Sequence, residues 1–170
     1  MRRDLGLSYL PWGLLAAAAV VPATLTAQNN AANIAVTTTI TPSLSVSAVK
    51  NLDFGTLPQG SGPKTINSAD AEAGQFSVVG LAGASVTLTF ALPTHLSDGG
   101  SFLIPIDTWT GATVALGLAN EFFTPSGDPS TVHIGTNGGL SVFIGARIAL
   151  SQNQVPGSYS GVVSMTVAYF

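Results

Sequence analysis

The chain has 170 residues, 46% of them hydrophobic and only 8% charged, with a net charge of −3 at pH 7 and no cysteine. Five cations, two of them at Arg2 and Arg3, cannot form the basic surface that a phosphate backbone requires, which excludes nucleic acid as a partner. The missing cysteines exclude a disulfide framework and a lipid-anchored lipoprotein.

Arg2 and Arg3 precede an unbroken apolar run from Leu14 to Val21; Pro22 breaks it, and small residues lead to Ala27. This is the order of a secretory signal peptide over residues 1–27, cleaved after Ala27, with Ala23 as the alternative. The run is short for a spanning helix and its surroundings contain Pro11, Gly13 and Pro22, so an uncleaved anchor is the weaker reading. The arginine pair resembles a twin-arginine export signal, but Asp4 and the missing downstream basic residue favour general secretion. Beyond the leader no apolar run is long enough to cross a bilayer as a helix, so residues 28–170 are expected as one secreted domain without a membrane span. That domain keeps three cations, Lys50, Lys64 and Arg147, and must hold by core burial and strand pairing alone.

Directly after the leader, Ile34, Val36, Thr38, Ile40, Pro42, Leu44, Val46 and Ala48 alternate with small polar residues, and Leu52 and Phe54 continue the even stripe. A period of two places successive side chains on opposite faces of a strand. Pro42 divides the stretch into a segment 33–41 that could pair in its own sheet or be lent to a neighbour, and a first resident strand over 43–54. The same grammar recurs at Phe76 to Gly80, Val86 to Leu92, Phe102 to Ile106, Leu140 to Leu150 and Tyr159 to Tyr169. Turn-rich clusters separate these runs at Pro58 to Pro63, Leu96 to Gly100, Pro125 to Ser130 and Asn137 to Gly139. Ala69 to Ala73 suits a single turn, and Gly111 to Asn120 is an ambiguous apolar stretch. The pattern predicts an all-β antiparallel sandwich. An outer-membrane barrel fits less well: the residues at every second place before Phe170 are Ala168, Thr166 and Ser164, and aromatic girdles are missing.

Residues that could carry chemistry are few. His95 precedes a Ser-Asp-Gly-Gly turn and reads as an exposed loop residue, while His133, between Val132 and Ile134, points to the polar face of a strand. No segment has the nucleophile-elbow pattern that would set a serine against either imidazole. Asp70 and Glu72 are too few oxygens for a calcium loop and read as a solvated turn. Gly60 to Thr65 lacks the glycine before its lysine and the helix that a phosphate loop needs. Trp109 and one of Phe122 and Phe123 read as plugs at the end of a sandwich. The expectation is a protein that is not an enzyme, with no catalytic or metal residues and no cofactor.

Leu52-Asp53-Phe54-Gly55, Phe76-Ser77-Val78-Val79-Gly80, the strand from Gly145 to Leu150, and Pro156-Gly157-Ser158-Tyr159-Ser160-Gly161 through Val163, Val167 and Tyr169 carry a resemblance. Together they look like the secreted family catalogued as domain of unknown function 4402, similar in layout to spore-coat-U-like and archaic chaperone–usher pilin subunits of Gram-negative bacteria. The resemblance implies an immunoglobulin-like sandwich with a structural role at the cell surface, reached through the periplasm. It also implies self-association or other surface subunits as partners, and a periplasmic chaperone. In donor-strand pilins a neighbour's N-terminal strand fills a groove left by a missing strand. Here Ile34, Val36, Thr38 and Ile40 would be the inserted face, with strand donation in polymerisation as their role. The alternative is a self-contained extracellular binding or adhesive module, with the N-terminal segment paired in cis.

Overall fold

An alternating chain needs pleated strands with one face to bury. The computed structural model, which describes residues 35, 37, 38 and 43–170, has ten strands and no helix among those residues. They are β1 (Ser45–Lys50), β2 (Lys64–Ile66), β3 (Gly74–Val79), β4 (Ser85–Ala91) and β5 (His95–Ser97). Then come β6 (Leu103–Val114), β7 (Glu121–Phe123), β8 (Ser130–His133), β9 (Gly139–Ile148) and β10 (Ser164–Tyr169). Contacts separate Met1–Thr38 from Thr39–Phe170, and all the strands lie in the second unit.

Every pairing is antiparallel, in two sheets that make a sandwich. The smaller has the order β10-β4-β8; the larger runs β1-β3-β9-β6-β5, with β2 also on β9 and β7 also on β6. The inward stripe of β9 (Leu140, Val142, Ile144, Ala146 and Ile148) is at most 3% exposed. Its first three residues join Val78, Val86, Leu88, Phe90, Val132 and Ile134 in the core between the sheets. Its last two join Ile104 and Ile106 in a second cluster. The small sheet contributes nothing to that second cluster, which is covered instead by Leu52, Phe54, Leu57, Leu150 and Tyr159.

The strand hidden in Gly111 to Asn120 occupies Gly111–Val114, the second half of β6. A bulge between Asp107 and Thr110 inserts one extra residue opposite β9, so even positions face inward before it and odd positions after it. Ile104 and Ile106 are therefore buried on the first half, while Gly111 and Thr113 pair with inward Ile144 and Val142 on the second. Thr108 within the bulge has φ 50°, a conformation that branched residues rarely adopt, at a cost of order 1–3 kcal/mol.

Two expected strands are shorter than the alternation suggested. β1 ends at Lys50 after a bulge between Ala48 and Lys50, and Leu52 and Phe54 continue as extended, unpaired wall. The final strand begins at Ser164, so Tyr159 to Val163 also lie outside it, with a lone bridge from Ser160 to Ser97.

Where β2 gives way to the loop at Asn67, the chain crosses β9 so closely that a Cβ on Gly145 would collide with backbone atoms of Ile66, Asn67 and Ser68. Gly145→Ala is expected to destabilise the domain by about 3 kcal/mol in urea unfolding, because backbone cannot yield as a side chain can. Gly127→Ala, whose new methyl would only touch the Phe90 carbonyl at 4.0 Å, should stay within about 0.5 kcal/mol.

Candidate functional site

A sandwich has two long seams where the outer strands of its sheets face each other, and the two seams of this one are unlike. On one side β7 and β8 meet. Phe123 stacks on Phe90 with ring centroids 5.7 Å apart, and the His133 imidazole lies 3.6 Å from the Glu121 carboxylate. That seam is bridged by an aromatic stack and a polar contact. On the other side β1 faces β10, and the two edges have no strand between them among the described residues.

The inward residues of this second seam follow from register. Val46 pairs with Val78, and Ala48 with Phe76; Met165, Val167 and Tyr169 pair with Phe90, Leu88 and Val86. Val78 and Leu88 are wholly buried, yet Val46 is 39% exposed, and Met165 and Val167 are only half-buried. These are apolar side chains aimed at a core that does not close over them. Natural edge strands are commonly blunted by charge or proline. Here the outward side chains include Ser45, Ser47, Ser164, Thr166 and Ala168 beside the 57% exposed Val49, and Lys50 at the end of β1 is the one charge on either strand.

The seam widens into a cleft of about 790 Å³, lined by Ala48, Phe54, Phe76, Trp109, Tyr159 and Val163 among others. One wall is the chain after β1, held by the Lys64 ammonium donating to the Phe54 carbonyl at 2.9 Å and the Asp53 amide donating to the Glu72 carbonyl at 3.2 Å. The other is the chain before β10, where the Tyr159 hydroxyl donates to the Val155 carbonyl at 2.7 Å and accepts from the Gln154 amide at 3.0 Å. Both ends are stitched. At the far end Gln59 donates to the Gln154 carbonyl at 3.0 Å. At the near end the Tyr169 hydroxyl accepts from the Leu81 amide at 2.8 Å and donates to the Ser43 carbonyl at 3.1 Å.

A volume of this size falls in the range of small-molecule pockets, roughly 300–1,000 Å³. The cleft is nonetheless continuous with two unpaired strand edges, whose backbone groups a compact apolar ligand would leave unsatisfied. An extended peptide supplies both backbone partners and alternate side chains for such a site.

Of the proposed inserted face, Ile34, Val36 and Ile40 lie outside the described residues, and Thr38 is exposed. The other candidates are dispersed. His95 is exposed at the start of β5 and meets only the Thr94 hydroxyl, at 3.0 Å; His133 is exposed on β8, on its polar face as read. Asp70 caps a turn, its carboxylate accepting from the Asn67 amide at 2.7 Å. Among the described residues no group of three or more His, Asp or Glu is placed to hold a metal ion. No helix among them is long and apolar enough to cross a membrane. Trp109 does not plug the end of the sandwich: the β6 bulge sets it between the two core clusters, against the cleft. Phe123 is the core partner of the phenylalanine pair, and Phe122 is exposed. Gln59, Gln154 and the Tyr169 hydroxyl were not foreseen; the one trace of them was an aromatic residue closing each end of the Tyr159 to Tyr169 stripe.

A family model described as Domain of unknown function (DUF4402) matches residues 44–169, from the threshold of β1 to the last residue of β10. No curated protein matches the chain.

If the β1/β10 seam is open, the same substitution should cost differently on its two sides. Val142→Thr, which places a hydroxyl in the closed core, is expected to lower the unfolding free energy by about 2 kcal/mol. Val46→Thr should change it by less than about 0.5 kcal/mol, because water already reaches that site. Urea titration of the monomeric domain checks the pair.

Proposed function

The chain belongs to the family described as Domain of unknown function (DUF4402), and from that premise and the open seam we propose a non-enzymatic structural role. It is a secreted subunit of a fimbria-like or other cell-surface assembly, and it polymerises by strand addition. The donated strand is residues 33–41, with Ile34, Val36, Thr38 and Ile40 facing into the cleft of the receiving subunit. The observation that carries this reading is the pair of apolar, half-exposed edges on β1 and β10, which have no strand partner along the seam among the described residues. A strand laid between them gains backbone hydrogen bonds and buries side chains at every second position, which couples affinity to register.

The donor is suited to the seam. No charge occurs between Asp4 and Lys50, so residues 33–41 carry none into a low-dielectric site. Nine extended residues reach about 30 Å, enough to run along β1 and into the cleft beyond it. A leader over residues 1–27 would deliver the subunit across the inner membrane of a Gram-negative cell, and a periplasmic chaperone could shield the seam until assembly. The reading as a self-contained adhesive module draws less support, since Trp109 is packed between the core clusters instead of being displayed.

The purified exported protein is expected to run as a ladder on a denaturing gel when unboiled, and as one band after boiling. Deleting residues 28–41 should leave a folded monomer, because under strand addition that segment completes a neighbour's sheet and not the subunit's own. Met165→Asp should likewise abolish the ladder while preserving the fold. Unfolding of the truncated form, or a single unboiled band from the intact protein, would sink the proposal.

A further inference from the structure

We propose that the far half of the cleft is a binding site of its own, for a small uncharged amphiphile: an aliphatic chain with a hydroxyl, ester or ether group at one end. The site lies beyond the last residue of β1 and before the first of β10, and it does not depend on strand addition.

The backbone separates the two halves. Along the near half the facing edges of β1 and β10 meet no strand among the described residues. The walls of the far half have turned their backbone groups elsewhere. On one wall the Asp53 amide donates to the Glu72 carbonyl, the Gly55 amide donates to the Asp53 carboxylate at 2.8 Å, and the Phe54 carbonyl accepts from Lys64. On the other, Ser160 exchanges both of its backbone groups with Ser97 at 2.9 Å. The Gln154 and Val155 carbonyls there accept from Gln59 and from the Tyr159 hydroxyl. A strand entering from the seam finds room for side chains here and little ladder to extend.

What the far half offers is hydrocarbon. Its floor is Ile104, Ile106 and Ile148, and its sides are Phe54, Leu57 and Tyr159, all of them members of the second cluster. The isoleucines are at most 5% exposed, but the three residues covering them are only half-buried, so apolar surface faces the space between the walls. Two charged residues border the cleft, and both are exposed and engaged. The Lys50 ammonium donates to the Ala71 carbonyl, and the Asp53 carboxylate accepts from Gly55. A ligand with a charge of its own would be desolvated there without a partner.

The polar groups at the margin are neutral. Asn51 and Ser158 are exposed along it, and Trp109 lines the cleft from the floor side. The indole N–H of Trp109 has no acceptor among the described residues and is not sealed from water. An indole nitrogen can only donate, so it suits a ligand oxygen. Strain places this ring: it follows Thr108, whose φ of 50° turns the bulge in β6. Bulges commonly re-aim a side chain beside a binding site, and strain of this kind persists where the surrounding structure imposes it. Hydrocarbon with a few neutral polar groups is the usual lining of a small-molecule site. The Gln59–Gln154 hydrogen bond closes the far end and limits the length of the chain that enters.

The probe is N-phenylnaphthylamine, an uncharged fluorophore that brightens in apolar surroundings. It is added to the full exported chain carrying Met165→Asp, or Val46→Asp should the first not fold, so that assembly does not compete. Saturable binding of one probe per chain is expected, reversed by monodecanoylglycerol. Decanoate and decyltrimethylammonium have the same chain and a charged end, and should displace the probe about tenfold less well, because each brings an unpaired charge into the site. With Trp12→Phe added, Trp109 is the one tryptophan, and its emission should pass to the bound probe by energy transfer. Leu57→Asp should weaken binding about tenfold for the same reason as a charged ligand. Phe122→Ser, at a 75% exposed phenylalanine outside the cleft, should leave binding unchanged. Should Leu57→Asp not fold, the energy transfer locates the probe by itself. Binding that does not saturate, equal displacement by the charged amphiphiles, no transfer from Trp109, or loss of binding in Phe122→Ser would overturn the site. None of these outcomes bears on the unboiled ladder by which strand addition is judged.

Discussion

The fold hangs on β9. Its inward stripe of Leu140, Val142, Ile144, Ala146 and Ile148 is the one run of side chains that belongs to both core clusters. Its backbone is bonded along one edge to β6 over nearly its whole length, and along the other to β3 and then β2. A chain without disulfides, and with so few charges, depends on such a doubly paired strand to fix the register of everything else. The three-stranded sheet needs only to cover the first half of β9. The second half is roofed by irregular chain, and the cleft opens where that roof begins.

This division of labour explains why the two seams differ. The β7/β8 side has the Phe90–Phe123 stack and a contact between the Glu121 carboxylate and the His133 imidazole, which tie the small sheet to the large one. With that side fastened, the β1/β10 side can stay apart without loosening the core: Val78, Leu88 and Val142 remain wholly buried behind it. The open edge is therefore a local feature of two outer strands. Among the described residues its closing hydrogen bonds sit at the ends, at Tyr169 and Ser43 and at Gln59 and Gln154. Between them lies half-buried hydrocarbon.

Strand-by-strand legibility followed parity. β3, β4 and β9 were readable because each keeps a single inward parity along its length and pairs on both sides. β6 was half readable. The extra residue at Thr108 exchanges its faces, so a periodicity that holds from Phe102 to Ile106 seems to dissolve at Gly111, although the strand continues. The short strands β2, β5 and β7 exist because longer neighbours offer them an edge, and three residues are too few to show a period. The stripes through Leu52 and Phe54, and through Tyr159 and Val163, carry a different lesson. They alternate like strands, and they do bury their apolar sides, yet no ladder accompanies them. Alternation reports a half-buried extended chain; pairing is a separate matter that only a neighbour can supply.

That distinction bears on the cleft itself. Residues 44–54 and 159–169 run in opposite directions on its two sides, both patterned toward its interior, and neither has a partner along its facing edge among the described residues. The exposed portions of Val46, Met165 and Val167 are apolar area left in water, at about 25 cal/mol for each Å². The sandwich is held where β9 is paired on both sides, and it leaves apolar surface in water where β1 and β10 meet no strand among the described residues.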